Sequence, residues 1–215
     1  MARKTDTPDI YDDLRTKLMA GYFPQGNKLK PSELAGFYGC SVNTVRETLF
    51  RLSTVGLVIS EDQRGFRARP ASRQRQHDLA NFRISLEQLG AVQSIKNGGI
   101  EWEARLTAAH HKLSHIESRI SKAENIESIL MPWGAAEWEF HETLLSASDS
   151  ALLREVFKSI YDQFRQQLAT QSDNFGFFEG NINEHRRIVD AALAGDADEI
   201  CKAIHDHLCR TLLKD

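Results

Sequence analysis

The sequence has few cysteines and no long apolar segment, and these absences exclude several classes of protein. Its 215 residues include three cysteines, an odd number that gives no disulfide framework and fits a reducing compartment such as the cytoplasm. No apolar run approaches the roughly 20 residues that a membrane-spanning helix needs. The first residues lack the apolar core of a signal peptide, and the chain has no repeat or low-complexity tract. We therefore expect a cytoplasmic globular protein of one large or two modest domains.

The two parts of the chain differ in charge. Residues 1–70 carry 11 Lys and Arg against 8 Asp and Glu, a formal charge of +3, whereas residues 71–215 carry 16 against 22, a formal charge of −6. A basic segment joined to an acidic one is typical of a nucleic-acid-binding domain fused to a domain of another kind. We predict one domain over 1–70, a linker or helix lead-in over 71–76, and a second domain over 77–215.

The first domain shows the pattern of a winged helix-turn-helix. Apolar residues at helical spacing predict a first helix near residues 10–19, and Pro31 and the N-cap residue Ser41 mark the starts of two more. Two short β-strands are predicted over 57–60 and 65–69. In such a domain the third helix enters the major groove of DNA, and the hairpin forms a wing beside it.

Several polar residues of this domain are candidate DNA contacts. Arg46 on the third helix can reach a guanine or a phosphate, and Asn43 and Thr44 are shorter partners. Arg64 and Arg67 on the wing can follow the backbone or a minor groove, while the lysines before the second helix can contact phosphates. The full set is Lys28, Lys30, Ser41, Asn43, Thr44, Arg46, Arg64 and Arg67. The alternative for each single cation is an ordinary solvated surface position.

Almost all of the chain after residue 76 is predicted to be helical. Six segments carry an apolar stripe and lie near residues 77–97, 101–124, 127–148, 150–171, 179–194 and 196–213. Pro132 falls near the start of the third segment, where we expect it to delay the helix. The fold class is therefore mainly α, a winged helix-turn-helix followed by an all-α six-helix bundle that can hold a polar site in its core.

Four ionisable residues lie within these apolar stripes, namely Glu137, His141, His185 and His207. An isolated charge is costly there, and a buried imidazole needs partners for both ring nitrogens. Glu137 and His141 are one helical turn apart, so both can reach one atom. One carboxylate and three imidazoles suit a divalent metal with open positions, with zinc expected and nickel or manganese as alternatives. The competing interpretation is that the histidines are core residues satisfied by the protein itself.

The first domain resembles the GntR family of bacterial transcription regulators. The matching motifs are Leu29-x-x-Ser32-Glu33-Leu34-Ala35, Ser41-x-x-x-Val45-Arg46-Glu47-x-Leu49-x-x-Leu52, Gly56-Leu57-Val58 and Arg64-Gly65-Phe66. The family usually has arginine directly after the turn serine, whereas this chain has Val42. The resemblance implies a DNA-binding regulator, and the departure at Val42 predicts an operator that differs from the family's common one.

The second domain resembles the FCD effector domain of the FadR subfamily, in its shorter, VanR-like branch. The matching motifs are Phe82-Arg83-x-x-Leu86-Glu87, Glu137-x-x-Phe140-His141 and His185-Arg186-x-Ile188-x-x-Ala191, followed by Gly195-Asp196 and His207. In metal-binding members an Asp and three His hold the ion beside an organic acid. His141, His185 and His207 match these histidines, and Glu137 stands where the family more often has Asp.

The resemblance implies a homodimer on a pseudo-palindromic operator of double-stranded DNA, and a response to a small carboxylate effector. Arg83 and Arg165 are candidate anchors for that carboxylate beside the metal. The expected function is a ligand-responsive transcription regulator, a repressor rather than an enzyme. Two alternatives stay open, an all-α metalloenzyme and a metal-stabilised DNA-binding protein without an effector. A metalloenzyme would not need the winged domain, and the sequence offers no independent general base for catalysis.

Overall fold

The computed structural model describes residues 9–61, 64–120, 127–171 and 177–213. The first part, residues 9–70 and hereafter the head, contains helices and a three-stranded antiparallel sheet with the strand order β1-β3-β2. Its elements are α1 (Ile10–Met19), β1 (Lys28–Leu29), α2 (Pro31–Tyr38), α3 (Val42–Thr54), β2 (Val58–Glu61) and β3 (Gly65–Ala68). None of the helices described in this chain is both long and apolar enough to cross a membrane.

Helix α3 is fixed by its N-cap and by its buried face. The Ser41 side chain accepts a hydrogen bond from the backbone N–H of Thr44 at 3.1 Å, which satisfies a donor at the start of the helix. Val45, Leu49 and Leu52 are fully buried, and burial of such a side chain contributes about 1.5–3 kcal/mol. The polar face of α3 therefore stays exposed to solvent.

The sheet confirms the two predicted wing strands, with boundaries that differ by one residue, and adds a third. Strand β1 has two residues, which is too short to show an alternating pattern in the sequence. Lys28 pairs with Arg67 and Leu29 pairs with Phe66. The buried Leu29 side chain links this strand to the apolar core of the head.

The second part, residues 73–213 and hereafter the body, is entirely helical where it is described, as the sequence predicted. Its elements are α4 (Arg73–Asn97), α5 (Gly99–Ile120), α6 (Glu127–Leu145), α7 (Ala151–Gln171), α8 (Asn181–Ala194) and α9 (Ala197–Cys209). Buried aromatic side chains from several helices fill its core, including Trp102, Trp133, Phe140 and Phe157. The mainly α fold with a winged head is thus confirmed.

Two predicted helix boundaries differ from the structure. Helix α4 begins at Arg73, because Ser72 caps it by accepting a hydrogen bond from the Arg75 backbone N–H at 3.2 Å; most of the predicted linker is therefore helical. Pro132 does not delay α6 but lies inside it. The missing N–H costs one helical hydrogen bond, and the burial of Trp133 and Ala136 just after it stabilises the helix in compensation.

Helix α7 makes most of the contacts between the body and the head. The Gln166 side chain donates to the Leu57 carbonyl at 3.0 Å, and the Gln167 side chain donates to the Pro70 carbonyl at 3.4 Å. Helix α1 of the head also lies against α7. The position of the head is therefore set mainly by one helix, which also borders the core of the body.

Candidate metal centre and nucleic-acid interface

Three predicted metal ligands from three different helices meet in the core of the body. His141 of α6 and His185 of α8 are fully buried, and His207 of α9 is 2% exposed. One ring nitrogen from each lies within 4.8 Å of the others. The rings of His185 and His207 have centroids 4.6 Å apart. The apolar stripes of α6, α8 and α9 bring them together, since each stripe faces the same core.

Each of these histidines has its Nδ1 next to a glutamate carboxylate. His185 Nδ1 lies 3.1 Å from Glu117, His207 Nδ1 lies 2.8 Å from Glu184, and His141 Nδ1 is hydrogen bonded to Glu87. A carboxylate on Nδ1 fixes the ring and leaves Nε2 as the metal-binding nitrogen, as in carboxylate–histidine–metal sites. His141 Nε2 and His185 Nε2 are buried and make no hydrogen bond within the described ranges.

Burial favours the neutral form of two rings of this histidine triad, those of His141 and His207. Burial lowers the pKa of His141, although the neighbouring Glu87 opposes it. Burial also holds the pKa of His207 well below its ordinary value, with further contributions from the other two rings. For Glu87, burial raises the pKa, but His141 and Arg83 outweigh it and bring the pKa to about 2. Neutral imidazoles beside ionised carboxylates are the form that binds a divalent metal.

Glu137, the fourth predicted ligand, lies beside the triad but not within it. Glu137 is 3% exposed, and its Oε2 lies 3.2 Å from Nη1 of Arg165. Burial raises the pKa of Glu137, but Arg165 and Arg83 outweigh it, so that the pKa is lowered. The carboxylate therefore stays ionised one turn before His141, directed to a guanidinium rather than to the cluster of nitrogens.

The two arginines predicted as effector anchors are both buried near this cluster. Arg83 donates from Nε to Glu87 at 2.9 Å, and its guanidinium carbon lies 4.8 Å from the centre of the Tyr161 ring. Arg83 Nη2 and the Tyr161 hydroxyl are buried and form no hydrogen bond in the described structure. The Arg83 guanidinium thus lies beside Glu87, which contacts His141, and Tyr161 lies beside that guanidinium.

Four residues around the triad were not predicted from the sequence as site residues, namely Glu87, Glu117, Glu184 and Tyr161. Two of them, Glu87 and Glu117, are ionisable residues on apolar stripes, as the predicted histidines are. Glu87 and Glu117 are fully buried on apolar stripes of α4 and α5. The pattern that predicted Glu137, an ionisable residue within an apolar stripe, therefore also applies to them. Glu184 is partly exposed and has no such signal. Tyr161 lies among buried aromatic residues of α7, where its pattern is that of an ordinary core residue.

Seven of the eight predicted DNA contacts are exposed on the head, and Ser41, Lys30 and Arg67 also make contacts within the protein. The exposed members are Lys28, Lys30, Ser41, Asn43, Thr44, Arg46 and Arg64. The Ser41 hydroxyl is engaged as the cap of α3, and Lys30 is paired with Glu33 at 2.6 Å. Arg67 is half-buried and donates to the Gly26 carbonyl at 3.1 Å, so it also stabilises the sheet. Residues 62 and 63 of the predicted wing loop lie outside the described ranges.

The sequence matches two described families along its length. Residues 7–67 match the bacterial regulatory proteins of the gntR family, and residues 78–210 match the FCD domain. The chain is 32% identical over 198 residues to the HTH-type transcriptional regulator BphR of Paraburkholderia xenovorans, a match that covers 92% of this chain and 80% of BphR. It is 26% identical over 204 residues to the HTH-type transcriptional repressor GlaR of Escherichia coli, covering 93% and 91%.

Solved structures share the fold over nearly the whole chain. Escherichia coli McbR/YncC superposes with a TM-score of 0.76 at 18% identity, covering 98% of this chain and 95% of that one. A GntR transcriptional regulator from Rhodococcus sp. RHA1 superposes with a TM-score of 0.76 at 22% identity, covering 95% and 96%. At these identities the likeness concerns the fold alone.

Proposed function

The chain belongs to the GntR family of bacterial transcription regulators and carries an FCD domain, and from this premise we propose that it is a metal-dependent repressor released by a small organic acid. The head would read an operator, and the body would bind the ion and the effector. The observation that carries the proposal is the buried histidine triad, whose ring nitrogens lie within 4.8 Å of one another.

The head supplies the means to read DNA. The start of α3 exposes Asn43, Thr44 and Arg46, while the opposite face is anchored in the core of the head. The first residues of a recognition helix reach base edges when the helix enters the major groove. A single head contacts only a few base pairs, so a homodimer on a pseudo-palindromic operator would supply the remaining affinity and specificity.

The donor set around the triad fits a divalent ion such as zinc, nickel or manganese. Nε2 of His141 and of His185 would bind it, together with His207, because burying such nitrogens without a partner is costly. Glu137 would be the fourth ligand after exchanging its contact with Arg165 for the ion. When bound, the ion would offer open coordination positions to an anionic oxygen.

Arg83 and Tyr161 support a carboxylate as the effector. Each holds a buried donor that makes no hydrogen bond in the described residues, and a carboxylate accepts well from both a guanidinium and a phenol. An effector that binds one arrangement of head and body more tightly than another would shift the population of DNA-competent dimers. This linkage needs no chemical step.

A melting series of the purified protein tests the proposal. The protein would be stripped of metal, reloaded with zinc, nickel or manganese, and then heated with a panel of carboxylates. A regulator gains stability in two increments, first with metal and then with one carboxylate, and the carboxylate is recovered unchanged. Consumption of the carboxylate would indicate the metalloenzyme instead, and a metal shift without any carboxylate shift would indicate a metal-stabilised DNA-binding protein.

A further inference from the structure

A cavity of about 520 Å³ lies between the head and the body, apart from the histidine triad. Met19 and Tyr22 line it from the head, and Met131, Trp133 and Trp138 line it from α6. Its volume is within the range of small-molecule sites, which are typically about 300–1,000 Å³. Indole, phenol and thioether groups favour flat aromatic ligands, since they offer both apolar area and ring contacts.

The charged groups that line this cavity carry one sign. They belong to two lining residues, Arg15 and Arg165. Their carboxylate partners, Asp162 at 2.5 Å from Arg15 and Glu137 at 3.2 Å from Arg165, do not belong to the lining. An apolar cavity with cationic groups at its wall suits a ligand with one anionic group.

A helical glycine lies in the wall of the cavity. Gly134 lies within α6 and lines the cavity, although glycine is unfavourable inside a helix. A Cβ built on Gly134 would meet nothing within 4 Å, so no close packing requires the small residue. A longer side chain at this position therefore has open space to enter.

We infer that this cavity is a second ligand site, separate from the histidine triad, which binds a small aromatic carboxylate. The aromatic rings of the ligand lie between the indoles of α6 and the side chains of α1, and its carboxylate faces Arg15 and Arg165. Because the ligand contacts both the head and the body, it fixes their relative position. The inference goes beyond the proposed metal-linked effector, which lies at the histidines.

Calorimetric titration of the full chain with 1-naphthoate tests the second site. The control ligand is 1-naphthamide, which has the same rings but no negative charge. Gly134→Leu fills the cavity and is expected to weaken naphthoate at least tenfold. The control is Gly36→Leu in α2, since Gly36 is also helical and its Cβ would also meet nothing within 4 Å. With both proteins free of metal, His185→Ala is expected to bind naphthoate within twofold of the wild type. The wild type is expected to bind naphthamide at least tenfold more weakly than naphthoate.

Four results would overturn the second site. These are a wild type that binds no naphthoate, a folded Gly134→Leu protein with unchanged affinity, equal affinities for the acid and the amide, and loss of binding in His185→Ala. The last would place the ligand at the metal centre. If circular dichroism shows that Gly134→Leu does not fold, Ala135→Leu replaces it, since Ala135 also lines the cavity and is exposed.

Discussion

Arg15 of α1 and Asp162 of α7 form a two-pronged ion pair across the head–body interface, with Nε–Oδ2 and Nη2–Oδ1 distances of 2.6 and 2.5 Å. Three residues further along α7, Arg165 contacts Glu137, which lies one turn before His141. Burial raises the pKa of Asp162 despite the adjacent Arg15, while Asp162 outweighs burial and raises the pKa of Arg15 in this ion pair. Its main effect is to fix α1 on the helix that also borders the candidate metal centre.

We predict that Arg15→Ala lowers the free energy of unfolding by about 3 kcal/mol, because it leaves the Asp162 carboxylate buried without its partner. The double variant Arg15→Met with Asp162→Leu should recover most of this loss, since it removes both charges and keeps apolar volume. Urea denaturation of the three proteins measures the difference. Equal losses in the single and double variants would mean that packing, not the ion pair, is responsible.

A second prediction separates base reading from phosphate contact. Arg46→Ala should lose about 1–3 kcal/mol of discrimination between operator and altered sequences, as expected for a base contact from the recognition helix. Lys28→Ala should weaken binding to all sequences alike and reduce the salt slope by about one unit. Binding-site selection and salt titrations measure both. Full specificity in Arg46→Ala would show that α3 does not read the groove as proposed.

A third prediction concerns the histidine triad. His185→Ala should lose the bound metal, whereas His111→Ala should keep it, because His111 is exposed on α5. Glu117→Gln should bind the metal about 10–100-fold more weakly, since it removes the carboxylate that orients His185. Elemental analysis and competition with a chelator measure these effects. A wild type that stays empty after incubation with zinc, manganese and nickel would assign the histidines to core packing.

The fourth prediction is a pH dependence of metal affinity. The neutral ring binds the ion, and burial lowers the pKa of both His141 and His207. Protons should therefore compete with the metal only below the ordinary imidazole pKa of about 6.5. Dissociation constants measured from pH 8 to pH 5 should stay level at first and rise in the acidic part of this range. A steep rise already between pH 8 and pH 7 would show that the rings are not held neutral.

Much of the fold followed from local patterns in the sequence. The apolar stripes that carry His141, His185 and His207 predicted both the helices and the burial of these rings, because a residue on such a stripe faces the core. Ser41 predicted the start of α3, because its hydroxyl can satisfy the first backbone donors.

The remaining features depend on contacts between distant parts of the chain. Arg15 and Asp162 are 147 residues apart, and no periodicity within one helix predicts that they meet. The contact of Glu137 with Arg165 likewise depends on how α6 lies against α7. The same limit applies to β1, whose two residues become a strand only through their pairing with β3.

The buried charged side chains around the triad favour ligands that bring the total charge of the site to zero. Glu87, Glu117 and Glu137 with Arg83 and Arg165 are each at most 6% exposed, and their formal charges leave one negative charge. Glu184, beside His207, does not change this sum because Arg210 lies 2.6 Å from it. A divalent cation would turn this into one positive charge, and a monocarboxylate would cancel it. A dicarboxylate would leave a buried negative charge, which is costly in a medium of low polarity. Under the proposed function, the net charge of the core would therefore favour metal before acid, and acids that carry a single charge.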